Sequence, residues 1–268
     1  MPELPEVETV CRTLRPHLVG RRIEHVDVRE RRLRRPVDGD LENRLVGRVI
    51  RGVRRRAKYI LMDVGGGEQW VVHLGMSGRL CVGLPPAGLS HVHVVASLDA
   101  GVTLYYRDPR RFGLMLLSRG EERLGDLGME PLGEEFTPGR LIGLRRRHRR
   151  VTVKSLLMDS RKVVGVGNIY ANEALFEAGI RPTRRYGRVT GREIENLVRA
   201  VRAVLRRAIE EGGSSLSDYR DGEGRAGAFQ ASFRVYDRAG EPCRVCAAII
   251  RGRIVGGRGS FYCPECQR

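Results

Sequence analysis

The chain has 268 residues, enough for one large domain or two smaller ones with an appendage, and 49 Lys plus Arg against 32 Asp plus Glu leave a formal charge of +17. No stretch approaches the ~18 apolar residues that span a bilayer, and the acidic, proline-bearing start has neither the basic flank nor the apolar run of a signal peptide. A cytoplasmic protein is therefore expected, with a polyanion as the natural partner of so much arginine, unless a GC-rich genome has merely written arginine for lysine.

The first ten residues read MPELPEVETV. Leu4, Val7, Val10, Leu14 and Leu18 recur at the three-to-four-residue spacing of one buried helical face, so a helix is expected almost at the terminus. Proline in a first turn and carboxylates at the positive end of the helix dipole are ordinary structural features. Removal of Met1 would instead leave Pro2 as a free secondary amine with Glu3 beside it. Both readings fit the residues.

After that helix, the segments RRIEHVDVRE, RVIRGVRRRAKYILMDV, QWVVHLGMSGRLCV, HVHVVASLD and VTLYYRDPRRFGLMLL are β-branched and aromatic, separated by Gly or Pro turns, and predict a β sandwich or barrel. From 120 to 150 the pattern dissolves into Gly, Pro and charge ending in RRRHRR, which reads as a basic connector. From 152 to 220 the chain turns helical. Thr190 and Glu193 fit a capping box, Ile194, Leu197, Val198, Val201, Leu205 and Ile209 give an apolar stripe with the arginines facing outward, and Gly212-Gly213 stops the helix. Upstream, Val164-Gly-Val-Gly167-Asn168 enters a second helix through a glycine-rich turn, where backbone amides can approach a phosphate or simply make a connection.

Four of the six cysteines form Cys243-Arg-Val-Cys246 and, sixteen residues on, Cys263-Pro-Glu-Cys266. Two such knuckles complete a closed tetrahedral shell for one structural zinc, with disulfides or a redox pair as the alternatives. The intervening AAIIRGRIVGGRGSFY predicts a β-hairpin about Gly256-Gly257 displaying Arg251, Arg253 and Arg258. Cys11 and Cys81 have no such partners and read as core.

PELPEVE, RRAKYIL, HLGMSGRL, RDPRRFG, VVGVGNIYANEALF and the four-cysteine hairpin ending in CQR together closely resemble formamidopyrimidine-DNA glycosylase, a family of bacterial enzymes that remove oxidised purines from DNA. The resemblance runs from Met1 to Arg268 and implies an α+β chain: an N-terminal β sandwich with its N-terminal helix (1–130), a helical domain with a helix-two-turns-helix motif (131–222), and a β-hairpin zinc finger (233–268). It implies Pro2 as nucleophile through a Schiff base, Glu3 as general acid, and Lys58 and Arg258 assisting β- and δ-elimination, which makes a bifunctional glycosylase and AP lyase. Glu6 is left a positioning or capping role. Met76, Arg110 and Phe112 are expected to fill the void behind an extruded base, and His91, Arg149, Lys154 and Asn168 to contact DNA. The expected partner is double-stranded DNA containing oxidised bases, met by a monomer near the bacterial nucleoid, away from membranes.

Two departures bear on lesion preference: His91-Val-His93 replaces a usual His-Asp-His, and Ala226-Gly-Ala-Phe229 stands where Pro-Gly-Tyr-Phe is common, inside a loop from Asp218 to Phe229 expected to cover the extruded base. The competing readings are a non-catalytic zinc-dependent DNA-binding protein of the same fold and an endonuclease VIII-like pyrimidine-lesion glycosylase. RDPRRFG and the intact Pro2-Glu3 start speak against both.

Overall fold

The computed structural model describes residues 1–215 and 219–268; Asp218, the first residue of the expected lesion loop, lies outside them. The chain divides into two compact units, Met1–Gly125 with Ile209–Gln230, and Asp126–Ala208 with Ala231–Arg268.

The first unit opens with helix α1 (Leu4–Leu18), whose stripe Leu4, Val7, Val10, Leu14 and Leu18 is fully buried. Each such side chain contributes roughly 1.5–3 kcal/mol of transfer free energy. Eight strands follow: β1 (Ile23–Val28), β2 (Gly52–Arg56), β3 (Tyr59–Asp63), β4 (Glu68–His73), β5 (Arg79–Val82), β6 (Val92–Leu98), β7 (Thr103–Arg107) and β8 (Leu114–Arg119), with a short helix α2 (Leu41–Leu45) after β1. They form two antiparallel sheets, ordered β1-β6-β7-β5 and β2-β3-β4-β8. Alternate residues of both sheets, among them Val94, Ala96, Leu104 and Tyr106 from one and Ile60, Met62, Trp70, Val72, Met115 and Leu117 from the other, join Val7, Val10, Leu14 and Leu18 of α1 in one core. That alternation is the inner-face pattern of a β sandwich. Cys11 and Cys81 are buried as expected, and burial pushes the Cys11 thiol up to about 12.

The second unit carries helices α3 (Pro138–Arg145), α4 (Val153–Leu157), α5 (Asn168–Glu177) and α6 (Gly191–Glu210) and the hairpin β9 (Arg251–Val255) and β10 (Arg258–Tyr262). Helix α3 lies inside the stretch read from sequence as a connector. Thr137 caps it by accepting from Arg140 N, and Pro138 sits in its first turn. Only Leu141 of its residues is buried, which is why no apolar stripe announces it. The capping box of α6 closes as expected, with Thr190 N on Glu193 Oε2 at 2.8 Å and Glu193 N on Thr190 Oγ1 at 3.3 Å. Arg202 departs from the outward-facing arginines of α6: it donates to the carbonyls of Pro131, Gly133 and Phe136 and so pins the preceding loop. Among the described residues no helix is long and apolar enough to cross a membrane.

Candidate active site and nucleic-acid interface

Glu3 is the N-cap of α1, and its backbone N–H donates to Glu6 Oε2 at 2.7 Å. The other oxygen of Glu6 accepts from Ser214 N at 2.8 Å. With both oxygens held by backbone donors at 2% exposure, Glu6 is a clamp on the helix start, matching the capping role expected of it. The clamp needs a residue without a side chain at 213: Gly213 has φ +80, and a Cβ there would lie 2.9 Å from Glu6 Oε1. Pro2 and Glu3 are themselves buried at this clamped end.

Lys58 sits in the two-residue turn joining β2 to β3, where Arg56 pairs with Tyr59. Arg55 reaches from this hairpin to α1, donating through Nη1 to Ala57 O at 3.0 Å and through Nε to Glu8 Oε2 at 3.3 Å. The turn bearing the lysine is thus tied to the helix that Pro2 and Glu3 lead into. Beside it is a residue the sequence reading passed over. His73 is buried and accepts from Gly75 N on Nδ1 at 3.0 Å, which leaves the proton on Nε2. Burial foremost, then the Lys58 and Arg34 charges, lower its pKa from the ordinary 6.5 to about 4, so the ring is a neutral donor near neutral pH. It lines a cavity of about 320 Å³ together with Arg34, Arg35, Tyr59, Leu114 and Arg123.

Met76, Arg110 and Phe112 come together. Met76 is 40% and Phe112 46% exposed, unusual for large apolar side chains, and the Arg110 guanidinium stacks 4.8 Å from the Phe112 ring centroid. Their two loops lie back to back: Gly75 has φ +63, and a Cβ on it would stand 2.4 Å from the carbonyl carbon of Phe112. His91 is exposed and held at φ +64, a conformation uncommon for a residue with a side chain, while its carbonyl accepts from Asp108 N at 3.1 Å. The Asp108 carboxylate, fully buried, accepts from Ser77 Oγ (2.7 Å), Gly113 N (2.8 Å), Tyr106 OH (3.1 Å) and Arg110 N (3.3 Å). Burial and that carboxylate push the Tyr106 phenol up, so it remains a donor. Nothing in RDPRRFG distinguishes this aspartate from an ordinary turn former; Tyr106, Arg110 and Gly113 are its near neighbours in the chain, and the partner that sets it apart, Ser77, lies 31 residues away.

In the second unit the four cysteine sulfurs lie within 4.8 Å of one another. Individual separations of 3.4 Å (Cys246–Cys263, Cys246–Cys266) and 3.9 Å (Cys243–Cys266) bracket the ~3.8 Å edge of a tetrahedron with Zn–S bonds of ~2.3 Å. Val245 N and Cys266 N point at Cys243 Sγ and Cys263 Sγ, both at 3.4 Å, the donors a thiolate pair wants. The donor set fits one closed, structural zinc.

The hairpin turns at Gly256-Gly257 and exposes Arg251, Arg253 and Arg258, with Ile254 74% exposed among them. Lys154, by contrast, is fully buried: its amine donates to Gly259 O at 2.7 Å and Ser260 Oγ at 2.6 Å. Asn168 opens α5 and is half-buried; Asn172 donates to its carbonyl at 2.7 Å and accepts from Phe261 N at 2.8 Å. Glu173, another residue that sequence reasoning missed, accepts from three successive backbone amides, Arg234, Val235 and Tyr236, at 2.8–3.0 Å. Residues of α4 and α5 therefore hold the hairpin and the segment leading to it. Arg149 is exposed in the loop between α3 and α4.

A β sandwich with a clamped N-terminal helix, a helix-two-turns-helix segment and a four-cysteine hairpin define a zinc-finger DNA glycosylase. Family models agree along the chain: the formamidopyrimidine-DNA glycosylase N-terminal domain matches residues 1–115, its helix-two-turns-helix domain 127–220, and the zinc finger found in these enzymes and in isoleucyl-tRNA synthetase 240–268. Formamidopyrimidine-DNA glycosylases of Burkholderia thailandensis and Rhizorhabdus wittichii are 50% and 48% identical, each over 100% of both chains. The solved structure of the MutM (Fpg) protein of Thermus thermophilus is 42% identical, with a TM-score of 0.87 over 99% of this chain and 98% of that one. That of Lactococcus lactis Fpg complexed with DNA containing an abasic site is 32% identical, with a TM-score of 0.90 over 99% of each. The chain belongs to the formamidopyrimidine-DNA glycosylase family, and is a DNA-binding enzyme of base excision repair.

Proposed function

We propose that the enzyme excises oxidised purines, 8-oxoguanine opposite cytosine and formamidopyrimidines first, through a Schiff base on Pro2 followed by β,δ-elimination. One observation carries this: the two-oxygen Glu6 clamp that fixes the first turn of α1 where the terminal amine would lie. A neutral terminal amine is more abundant at pH 7 than a neutral lysine, since the model values are about 8 and about 10.4. With Met1 removed, the Pro2 nitrogen attacks C1′ and the C1′–base bond breaks, the base leaving with its electron pair and a proton. Glu3 protonates O4′ as the C1′–O4′ bond opens, which gives an iminium ion. The iminium acidifies C2′, loss of that proton expels the 3′ phosphate, and a second elimination assisted by Arg258 expels the 5′ phosphate; hydrolysis then frees Pro2.

Lys58, with neutral His73 beside it, supplies donors for a phosphate or sugar oxygen in this scheme. Met76, Arg110 and Phe112 replace the extruded nucleotide, Arg110 hydrogen-bonding the orphaned base. His91, Arg149, Asn168 and Arg258 contact the backbone, and Lys154 serves the interface by holding the hairpin from beneath. Support for the substrate class comes from the complexes of the Lactococcus lactis protein with abasic-site DNA and of a mutant of it with DNA containing Fapy-dG. Borohydride trapping on a duplex with 8-oxoguanine tests the reading, run beside an intact-mass measurement of the N-terminus. Adduct formation by the processed protein, lost on Pro2→Gly with duplex binding retained, is the expected result. Processed protein that binds but forms no adduct would leave the non-catalytic alternative, and a preference for oxidised pyrimidines would favour the endonuclease VIII-like one.

A further inference from the structure

We infer that Asp108 is the positioning residue that makes the Met76 loop and the Arg110–Phe112 loop a single rigid wedge, and that recognition of the orphaned base depends on its charge. The inference rests on the reading of those three side chains as the void fillers, and adds what sets their geometry.

Asp108 begins a turn in which its carbonyl accepts from Arg111 N at 3.1 Å, with Pro109 and Arg110 at the two central positions. Asp is favoured at such a first position because its side chain can accept from the amide two residues on, and here Arg110 N lies 3.3 Å from Oδ1. A lone turn would stop there. This carboxylate continues: Oδ2 accepts from Gly113 N at 2.8 Å, so one anion brackets the stretch that carries Arg110 and Phe112. Ser77, immediately after Met76, donates to Oδ1 at 2.7 Å, and its oxygen accepts from Arg110 N at 3.3 Å. Tyr106 anchors the group to β7 at 3.1 Å, and His93 Nε2–H reaches the Asp108 carbonyl at 2.8 Å from β6. A fully buried carboxylate held by hydroxyls and backbone amides instead of a cation is costly unless all its partners stay in place. The anion therefore enforces the relative placement of both loops. Arg111, at φ +55, turns away to pair with Glu30 at 3.2 Å, which leaves Arg110 alone to face the partner base.

Asp108→Asn is the decisive variant. It keeps one acceptor and replaces the other with an NH2 donor that must face a backbone N–H, so the wedge loosens while the volume is unchanged. Misplacing the fillers should lower kcat/KM for excision of 8-oxoguanine from duplex by about 10- to 100-fold. The preference for cytosine over adenine opposite the lesion should shrink, and 2-aminopurine placed opposite an abasic analogue should show a smaller fluorescence change on binding. Borohydride trapping on a single-stranded abasic site, which needs no wedge, should be unchanged. Ser77→Ala, a milder change that keeps the anion, should give a smaller loss of the same kind, and decides the matter if the first variant does not fold. Wild-type opposite-base preference and 2-aminopurine response in either folded variant overturn the inference, as does a loss of single-strand trapping equal to the duplex loss. Failure of the Schiff-base reading would look different, because the wild type itself would then trap nothing, while the fluorescence arm still reports the wedge.

Discussion

Replacement of Glu6 by alanine strikes at the clamp that holds the start of α1. Two backbone donors, Glu3 N at 2.7 Å and Ser214 N at 2.8 Å, lose a charged acceptor in a place that is 2% exposed. Hydrogen bonds to an ionised group contribute roughly 1.5–3 kcal/mol each, and relief of the buried charge returns part of the sum, so a net loss of about 3 kcal/mol is expected. Glu6→Gln keeps one acceptor and should lose about half as much. Against a total stability of about 5–15 kcal/mol, the alanine variant gives up a substantial fraction, seen as a fall in melting temperature of roughly 10 °C. Gly213→Ala should move in the same direction, since φ +80 strains an alanine by about 1–2 kcal/mol and its Cβ displaces the Glu6 carboxylate. Calorimetry and urea titration read the stability, and stopped borohydride trapping reads the rate of adduct formation, which should fall further than stability alone explains because Glu3 and Pro2 lose their anchor. A Glu6→Ala protein within about 0.5 kcal/mol of wild type would refute the reasoning.

Three other outcomes follow from the geometry. His73 has its pKa depressed to about 4 in the folded state, so its contribution is full above pH ~6.5 and is lost as pH falls toward 4, where the unfolded ring protonates first. Urea titrations should show about 3 kcal/mol lost across that window, and His73→Gln should flatten the slope. Lys154→Met removes the donor to Gly259 O and Ser260 Oγ; a stability loss of about 2 kcal/mol is expected, with the salt dependence of DNA binding as in the wild type, whereas a slope reduced by about one would place the amine on a phosphate. Stripping zinc exposes the core that Cys243 and Cys263 share with Phe176, Val235 and Ile250, so DNA affinity should drop at least ~10-fold and return with added zinc. Full-affinity binding by metal-free protein would contradict this.

Periodic features were legible in the sequence. The α1 stripe, the strand-rich segments, the capping box at Thr190 and the hairpin between the cysteine pairs each depend on neighbours within a few residues, and each is present. Helix α3 was not legible because its single buried leucine carries no period. Asp108, His73 and Glu173 were missed for a different reason: their significance lies in partners such as Ser77, Lys58 and Val235, which only the folded chain assembles. Lys154 could be singled out as a residue but not as a buried one, since burial of an amine is decided by the two oxygens of β10 waiting for it.

The burial of Lys154 has a practical corollary for spectroscopy. The chain contains only three lysines, at 58, 154 and 162, and one of them is closed to solvent. Reductive methylation with isotope-enriched formaldehyde would accordingly tag very few positions, and the resonance of the Lys58 dimethylamine would report on the turn between β2 and β3.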